Sequence, residues 1–275
     1  PSIMGEKTPE ERFAGADHTY TLEHIMQDGR ALQAGTSHDL GQHFSKSFGI
    51  QYLDTDGALK HAWTTSWGTS TRMMGSLFMT HSDDDGLVLP PAVAPYQVVI
   101  IPITRDENAD KLNTYAEQLG ARLRDAGIRV LVDTSDMRSA DKMWKWIKRG
   151  VPLRAEIGAR EMDENNITVT RRDLGKSSKQ TMATDAFVAD VNSLLTQIQH
   201  DMYDAVVARN KTMIHDVADL GALESALDGG KIGFFRIKYD LTQNEQFESL
   251  MEKYKISRRC LDDADPTYVY VAKSY

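Results

Sequence analysis

The feature that most constrains the fold is a continuous apolar run, Val98–Ile103. A run of this kind is typical of a strand that is buried on both faces of a sheet. Apolar residues then recur at helical spacing from Leu112 to Leu123, and a second strand pattern, Ile128–Asp133, follows Gly127. Because strand, helix and strand follow one another, the sequence predicts a βαβ unit at the centre of an α/β domain.

Changes of pattern predict the limits of this domain. Residues 90–95 contain three prolines, which neither a helix nor a central strand accommodates, so a boundary lies there. Beyond residue 182 an apolar helical stripe runs from Phe187 to Val206, and short strand and helix patterns follow it. We therefore predict three domains: residues 1–95, an α/β domain over residues 96–182, and a small α+β domain over residues 183–275.

Composition excludes several classes of protein. No apolar stretch approaches the roughly 18 residues that a membrane span requires. The lone cysteine, Cys260, can form no internal disulfide, which predicts a reducing compartment such as the cytoplasm. The net charge of −8 argues against a wholly basic nucleic-acid binder, yet residues 138–180 hold eleven Lys and Arg against six Asp and Glu. That segment either contacts a phosphate backbone or is an ordinary solvated surface.

Three polar clusters in the first 95 residues contain the candidate site residues. Phe13 lies between small residues, Gln33–Ser45 combines glycines with Gln, Thr, Ser and His, and Thr65–Gly75 leads into a helix near Arg72. A glycine and hydroxyl stretch before a helix start, with an arginine on the first turn, can bind a polyanion. Each cluster also has a structural explanation: a core aromatic ring, a hydrogen-bonded histidine, or a capped helix whose arginine pairs with an acid.

Together with residues 86–91, 150–154 and 171–173, these clusters resemble the prolyl-tRNA synthetase family of the archaeal and eukaryotic type. The resemblance extends over essentially the whole chain, including the final Tyr275. It implies the rear half of a class II catalytic domain built on an antiparallel sheet, an α/β anticodon-binding domain and the family's C-terminal domain. Residues 68–75 resemble motif 3. We expect motifs 1 and 2 to precede Pro1 in a longer polypeptide, and the isolated chain to be inactive.

The resemblance also implies roles for single residues and partners. It makes Arg72 catalytic, as the residue that holds the γ-phosphate of ATP, with Mg²⁺ accompanying the nucleotide. Arg154 matches an arginine that binds anticodon guanines, and the final Tyr275 is expected to dock near the active site. The implied ATP-binding residues are Gln33, Thr36, Ser70 and Arg72, and the implied proline-binding residues are Phe13, His38, Ser66 and Trp67. The implied partners are proline, ATP, tRNA(Pro) and a second subunit of a homodimer, without a membrane.

Two departures from the family pattern and two alternative functions accompany this interpretation. Ile147 stands where the family has a glutamate, which leaves open how one anticodon base is read. With Cys260 as the lone cysteine, we expect no zinc in the C-terminal domain. A non-catalytic tRNA-binding or regulatory paralogue, and another class IIa synthetase such as the threonyl or histidyl enzyme, are the alternatives. The presence of His38 and Arg72 favours an enzyme, and the sequence Gly35–His38 favours proline.

Overall fold

The chain folds into two compact units, as seen in a computed structural model that describes residues 1–104 and 106–275. One unit consists of residues 1–80 together with 206–275, and the other of residues 81–205. The two ends of the chain belong to one compact unit, so this division differs from the three predicted domains. The limits of those domains stay a prediction.

The N-terminal region is built on an antiparallel sheet with the strand order β1-β2-β3-β6. A separate hairpin, β4–β5, lies between its third and fourth strands in sequence. Residues alternate between buried and exposed along β2, as expected for a sheet with two different faces. The elements are β1 (Ile3–Glu6), β2 (His18–Ile25), β3 (Ala31–Asp39), α1 (His43–Phe48), β4 (Gln51–Leu53), β5 (Leu59–His61), β6 (Thr65–Thr69) and α2 (Arg72–His81).

The second unit contains the predicted βαβ element, which the structure confirms. Its sheet has the order β11-β10-β9-β7-β8. Strands β8, β7 and β9 are parallel to one another, β10 is antiparallel to β9, and β11 is antiparallel to β10. Short 3₁₀ turns cover Asp106–Asn108 and Gly175–Ser178. The elements are β7 (Val98–Pro102), α3 (Ala109–Asp125), β8 (Val130–Val132), α4 (Ser139–Lys148), β9 (Leu153–Ile157), α5 (Ala159–Asp163), β10 (Asn166–Arg171), β11 (Gln180–Ala183) and α6 (Thr184–Lys211).

The core of this second unit explains why the apolar run at residue 98 is so informative. Val98 and Ile100 are fully buried in one cluster with Leu112 and Leu119 of α3 and Phe187 of α6. Val99 and Ile101 point the other way and pack with Trp146 of α4. Helices therefore cover both faces of β7, which is why its sequence is apolar at consecutive positions.

The C-terminal region forms a four-stranded sheet with the order β12-β13-β15-β14. Asp219 caps α7 by accepting a hydrogen bond from the amide of Ala222, and Asn244 caps α8 in the same way. The predicted α+β character is confirmed. The elements are β12 (Ile214–Asp216), α7 (Leu220–Asp228), β13 (Phe234–Lys238), α8 (Glu245–Tyr254), β14 (Ile256–Leu261) and β15 (Tyr268–Lys273), with a 3₁₀ turn at Tyr239–Thr242.

The C-terminal sheet packs on the N-terminal sheet within the first unit. Ile25 and Ala31 share a buried cluster with Phe234 and Ala272. Gly5 of β1 lies so close to β14 that a Cβ atom at this position would overlap the backbone of that strand. Glycine is thus required there for the approach of the two strands. Among the helices of the described residues, none is long and apolar enough to cross a membrane.

Candidate functional site

Strand register places four of the predicted site residues on one face of the N-terminal sheet. Thr36 of β3 lies opposite Thr21 of β2 and opposite Gly68 of β6. Directly opposed residues of an antiparallel pair point to the same side. We call this side the site face, and its side chains are Thr19, Thr21, Glu23, Gln33, Thr36, His38 and Ser66. The structure therefore brings together Gln33, Thr36, His38 and Ser66.

Trp67 is not one of the site-face side chains. It follows Ser66 on β6, and the two-residue period of a strand points it to the opposite side of the sheet. Its side chain is 76% exposed. With Met4 and Tyr20 it lines a cavity of about 620 Å³. Thr21 and Thr36 of the site face also line this cavity.

Phe13 and His38 form an aromatic wall at one end of the site face. Their ring centroids are 4.7 Å apart, and the hydroxyl of Thr19 lies 3.0 Å from Nδ1 of His38. The same hydroxyl oxygen accepts a hydrogen bond of 3.2 Å from the backbone amide of Phe13. Thr19, which sequence reasoning missed, thus holds both rings in place. Phe13 remains half exposed and offers its ring to a ligand.

Arg72 begins helix α2 at the end of β6 and offers an unpaired cation. Its backbone amide donates a hydrogen bond of 3.3 Å to the hydroxyl of Ser70, so the Ser70 side chain accepts from a backbone amide at the N-terminus of the helix. The first turn of α2 has no acidic residue. Among the described residues, the guanidinium of Arg72 has no hydrogen-bond or ion-pair partner. The helix dipole and the guanidinium together suit a polyanion such as a triphosphate.

A buried charge network supports the middle of the site face. Glu23 is fully buried, and its Oε1 accepts hydrogen bonds from Nζ of Lys7 at 3.1 Å and from the hydroxyl of Thr21 at 3.0 Å. Its Oε2 accepts from Nε and Nη2 of Arg259 at 3.1 and 2.8 Å. Sequence reasoning missed this network. One sequence pattern could have located its carboxylate. Thr19, Thr21 and Glu23 alternate along β2, which places Glu23 on the site face.

The C-terminal residue docks on the turn between β2 and β3. The hydroxyl of Tyr275 donates a hydrogen bond of 2.7 Å to Asp28, and Arg30 lies 5.3 Å from its ring centroid. The backbone amide of Tyr275 donates to the carbonyl of Ala31, where β3 begins. At about 3.3 Å per strand residue, this anchor lies about 7 Å along β3 from Gln33 and about 23 Å from His38.

In the second unit, Arg154 is a buried cation on β9. It is 6% exposed, and its Nε has no hydrogen-bond partner in the described part of the chain. The hydroxyl of Thr170, its cross-strand neighbour, is also unpaired. Burial lowers the pKa of Arg154, and the nearby charge of Arg172 acts in the same direction. Such an arginine is costly to keep without a ligand.

Much of the positive charge of residues 138–180 is used inside the second unit. Lys145 pairs with Asp133, Arg171 with Asp173 and Asp201, and Lys179 with Glu156. The exposed cations of this segment include Lys148, Arg149 and Lys176. Fewer cations are therefore available to bind a phosphate backbone than the count of charged residues suggests.

Comparisons with known proteins agree with this arrangement. Residues 97–194 match the family described as the anticodon binding domain. Together with the antiparallel sheet and the strand–helix element at Arg72, this domain places the chain among the aminoacyl-tRNA synthetases.

Individual relatives narrow this class. Proline–tRNA ligase of Bdellovibrio bacteriovorus is 42% identical over 276 residues, which cover 97% of this chain and 55% of that protein. Proline–tRNA ligase 2 of Anaeromyxobacter dehalogenans is 48% identical over 219 residues, covering 78% and 42%. The prolyl-tRNA synthetase of Cryptosporidium parvum complexed with L-proline and AMP has a TM-score of 0.87 at 30% identity, covering 100% of this chain and 62% of that one.

The chain belongs to the prolyl-tRNA synthetase family. It spans about half the length of the curated relatives it matches. The predicted fold class, with a class II antiparallel sheet and an α/β anticodon-binding domain, is confirmed.

Proposed function

We propose that this chain is the C-terminal part of a proline–tRNA ligase, which activates proline with ATP and transfers it to tRNA(Pro). The observation that carries this proposal is the site face with Gln33, Thr36 and His38, together with Arg72, which starts helix α2 after β6 and whose guanidinium has no hydrogen-bond or ion-pair partner among the described residues. The solved Cryptosporidium relative, which was crystallised with L-proline and AMP, supports the assignment of both ligands.

The proposed reaction needs positioning and charge neutralisation more than acid–base chemistry. A carboxylate oxygen of proline attacks the α-phosphorus of ATP, the bond to the bridging oxygen breaks, and pyrophosphate leaves. Arg72 neutralises the γ-phosphate of the leaving group, while Gln33 and Thr36 hold the nucleotide. Phe13 and His38 form the wall against which the proline ring packs. A terminal ribose hydroxyl of tRNA(Pro) then attacks the carbonyl carbon, and AMP leaves.

The resemblance implies one metal ion for this site, the Mg²⁺ that accompanies the nucleotide. The described residues contain no group of three or more His, Cys, Asp or Glu side chains that could hold a metal ion. The first turn of α2 beside Arg72 also has no acidic residue. Mg²⁺ is usually held by substrate phosphates and water with one or two carboxylates, so Mg²⁺ that accompanies the nucleotide stays a prediction, and no step of the proposal is assigned to it. The absence of zinc from the C-terminal region stays a prediction.

We further propose that the second unit binds the anticodon of tRNA(Pro) through Arg154. A guanidinium can donate two hydrogen bonds to O6 and N7 of guanine, and the buried Nε of Arg154 has no hydrogen-bond partner among the described residues. The exposed Lys148 and Arg149 supply phosphate contacts. A homodimeric assembly and a cytoplasmic location are part of the same proposal.

Proline-dependent exchange of pyrophosphate into ATP, measured on the complete gene product, tests the activity. We expect exchange with proline, and its loss in Arg72→Ala. Arg122→Ala, which removes an exposed arginine of α3, is the matched control and should retain it. Exchange with another amino acid would overturn the proposal. Binding of tRNA(Pro) without any exchange would favour the non-catalytic paralogue. The 275-residue chain alone should not catalyse exchange.

A further inference from the structure

We propose that Glu23, held by Lys7 and Arg259, acts through Thr21 to orient Gln33, so that the side-chain carbonyl oxygen of Gln33 faces the nucleotide. This inference rests on the proposed function in one respect, namely that the ligand of the site face is ATP. Glu23 and Thr21 are positioning residues here, because neither needs to touch the substrate.

The direction of each hydrogen bond follows from the chemistry of the groups. The Glu23 carboxylate is paired with Lys7 and Arg259, which can only donate, so its oxygens act as acceptors. The hydroxyl of Thr21 lies 3.0 Å from Oε1 of Glu23 and 3.5 Å from the carbonyl oxygen of Gly35. Both oxygens are acceptors, so Thr21 donates its one proton away from Gln33, with Glu23 the nearer partner. The Thr21 oxygen is then left with acceptor capacity alone.

This direction decides which end of the Gln33 amide faces Thr21. The amide group lies 3.2 Å from the Thr21 oxygen, and only an N–H can satisfy an acceptor. The Nε2 group is therefore the one in contact, and Oε1 is directed away from Thr21. Gln33 is half-buried, so its free oxygen is available to a ligand. The consequence is an acceptor on the site face, which selects a donor group on the nucleotide.

ATP carries two kinds of donor that match this acceptor, the exocyclic amine of adenine and the ribose hydroxyls. An inverted Gln33 would present N–H groups instead and would leave such a donor without a partner. An unpaired polar group in a binding site lowers affinity by more than the loss of a favourable contact. The orientation of one amide thus bears directly on nucleotide affinity.

The network also makes strand β14 part of the support of the site. Arg259 lies 236 residues from Glu23 in sequence, and its guanidinium donates two hydrogen bonds to one carboxylate oxygen. Its Nη1 donates to the hydroxyl of Ser257, which fixes the guanidinium plane. The side chains of Lys7, Glu23 and Arg259 are 5%, 0% and 11% exposed. Removal of either cation would leave a buried carboxylate underpaired.

The test uses the complete gene product and the variant Thr21→Val, which removes the hydroxyl, keeps the side-chain shape and leaves both ion pairs of Glu23 in place. We expect the Kd for ATP, measured by equilibrium dialysis, and the KM for ATP in pyrophosphate exchange to rise about tenfold, as for the loss of one oriented hydrogen bond. The KM for proline and kcat should change less than about twofold. Thr21→Ser should restore the affinity for ATP. Ser37→Ala, on the same sheet but on its opposite side, is the matched control.

Analogues of ATP identify the donor. 2′-Deoxy-ATP lacks one ribose hydroxyl, and inosine triphosphate lacks the exocyclic amine. The analogue without the partner of Gln33 should bind more weakly than ATP to the wild type, and this difference should disappear in Thr21→Val. Thr21→Ala gives a second variant with the same expected result if valine impairs folding, which thermal unfolding would reveal.

The outcomes separate this inference from the proposed function. An unchanged Kd for ATP in a folded Thr21→Val or Thr21→Ala variant, or no recovery in Thr21→Ser, would overturn the orientation of Gln33. Exchange with an amino acid other than proline would overturn the proposed function, while weaker ATP binding in Thr21→Val would still support the orientation.

Discussion

The guanidinium of Arg172 donates two parallel hydrogen bonds to the carboxylate of Asp83, at 2.7 and 2.5 Å. Its Nε donates a further hydrogen bond to the carbonyl of Ile147 at the end of α4. The Arg172 side chain is 5% exposed, whereas that of Asp83 is 49% exposed. Arg172 therefore fixes the segment before the proline-rich stretch to α4 and β10 of the second unit. The hydrogen bonds from Arg172 hold the pKa of Asp83 below its usual value.

Asp83→Asn should lower the free energy of unfolding by about 2 kcal/mol, because it leaves the buried Arg172 without its anionic partner. Urea unfolding at pH 7 measures this change. Asp84→Asn removes an equal charge from the exposed neighbouring position and should change the free energy of unfolding by less than about 0.5 kcal/mol. Equal stability of the two variants would contradict a structural role for the Asp83 carboxylate.

Asp133 predicts a defined dependence of stability on pH. Burial by itself disfavours its charge, but hydrogen bonds from Ser135, Trp146 and Lys145 outweigh burial and hold the pKa well below the usual range. A depressed folded-state pKa contributes stability that is complete above the unfolded-state pKa of about 3.9 and is lost as the pH falls toward the folded-state value.

The free energy of unfolding should therefore differ between the wild type and Asp133→Asn most at pH 7, and the difference should shrink as the pH falls below about 4. Urea titrations between pH 7 and pH 3 measure it. Asp136→Asn, which changes an exposed carboxylate nearby, supplies the control and should give a small difference throughout. A difference that grows on acidification would mean that the Asp133 carboxylate is not stabilised by its partners.

Removal of residues 273–275 should impair proline-dependent exchange without unfolding the protein. The tail donates a backbone hydrogen bond to Ala31, two residues before Gln33, and Tyr275 also binds Asp28. The tail is exposed, so we expect the free energy of unfolding to change by less than about 1 kcal/mol. Tyr275→Phe keeps the ring on Arg30 and should lose less activity than the deletion. Exchange kinetics identical to the wild type in the truncated protein would reject a role for the tail.

Periodicity in the sequence was sufficient to predict the βαβ element of the second unit. The apolar run at Val98 and the helical spacing from Leu112 describe a strand covered on both faces and a helix with one buried face, and both patterns are local. Strand β14 escaped prediction because its sequence, Ile256–Leu261, contains two arginines. Arg258 is nonetheless 5% exposed, since its charge meets Glu248 and the backbone of Thr242. Burial of this kind depends on partners that a local pattern does not reveal.

The sheet face of a site residue was predictable where the two-residue period of a strand alone determines it. Once β3 is recognised, Thr36 and His38 must share a face, and the register carries Ser66 to the same face. The family resemblance groups Trp67 with Ser66, whereas a strand turns consecutive residues to opposite sides, so the role of Trp67 stays a prediction. The pairing of Glu23 with Arg259 spans 236 residues and depends on packing of the C-terminal strands on the first sheet. No spacing rule in the sequence predicts it.

Arg154→Met should weaken tRNA binding without lowering the free energy of unfolding. Methionine keeps much of the side-chain length, and it removes a buried cation whose Nε is unpaired. Replacement of a poorly compensated buried charge by an apolar side chain is often neutral or stabilising, so the free energy of unfolding should stay equal or rise by about 1 kcal/mol. Urea unfolding at pH 7 measures it.

Affinity for tRNA(Pro) should fall about tenfold or more in the same variant, as for the loss of one bidentate contact with a base. Filter binding at fixed salt concentration measures this affinity, and the salt dependence should change little, because a base contact releases few counterions. Arg160→Met removes an exposed arginine that pairs with Glu164 and should leave both tRNA affinity and stability near the wild-type values. If Arg154→Met destabilises the protein by more than about 2 kcal/mol and binds tRNA(Pro) normally, Arg154 is a structural residue of the sheet. Weaker binding in a variant of unchanged or greater stability would mean that the unpaired guanidinium is retained for its RNA ligand.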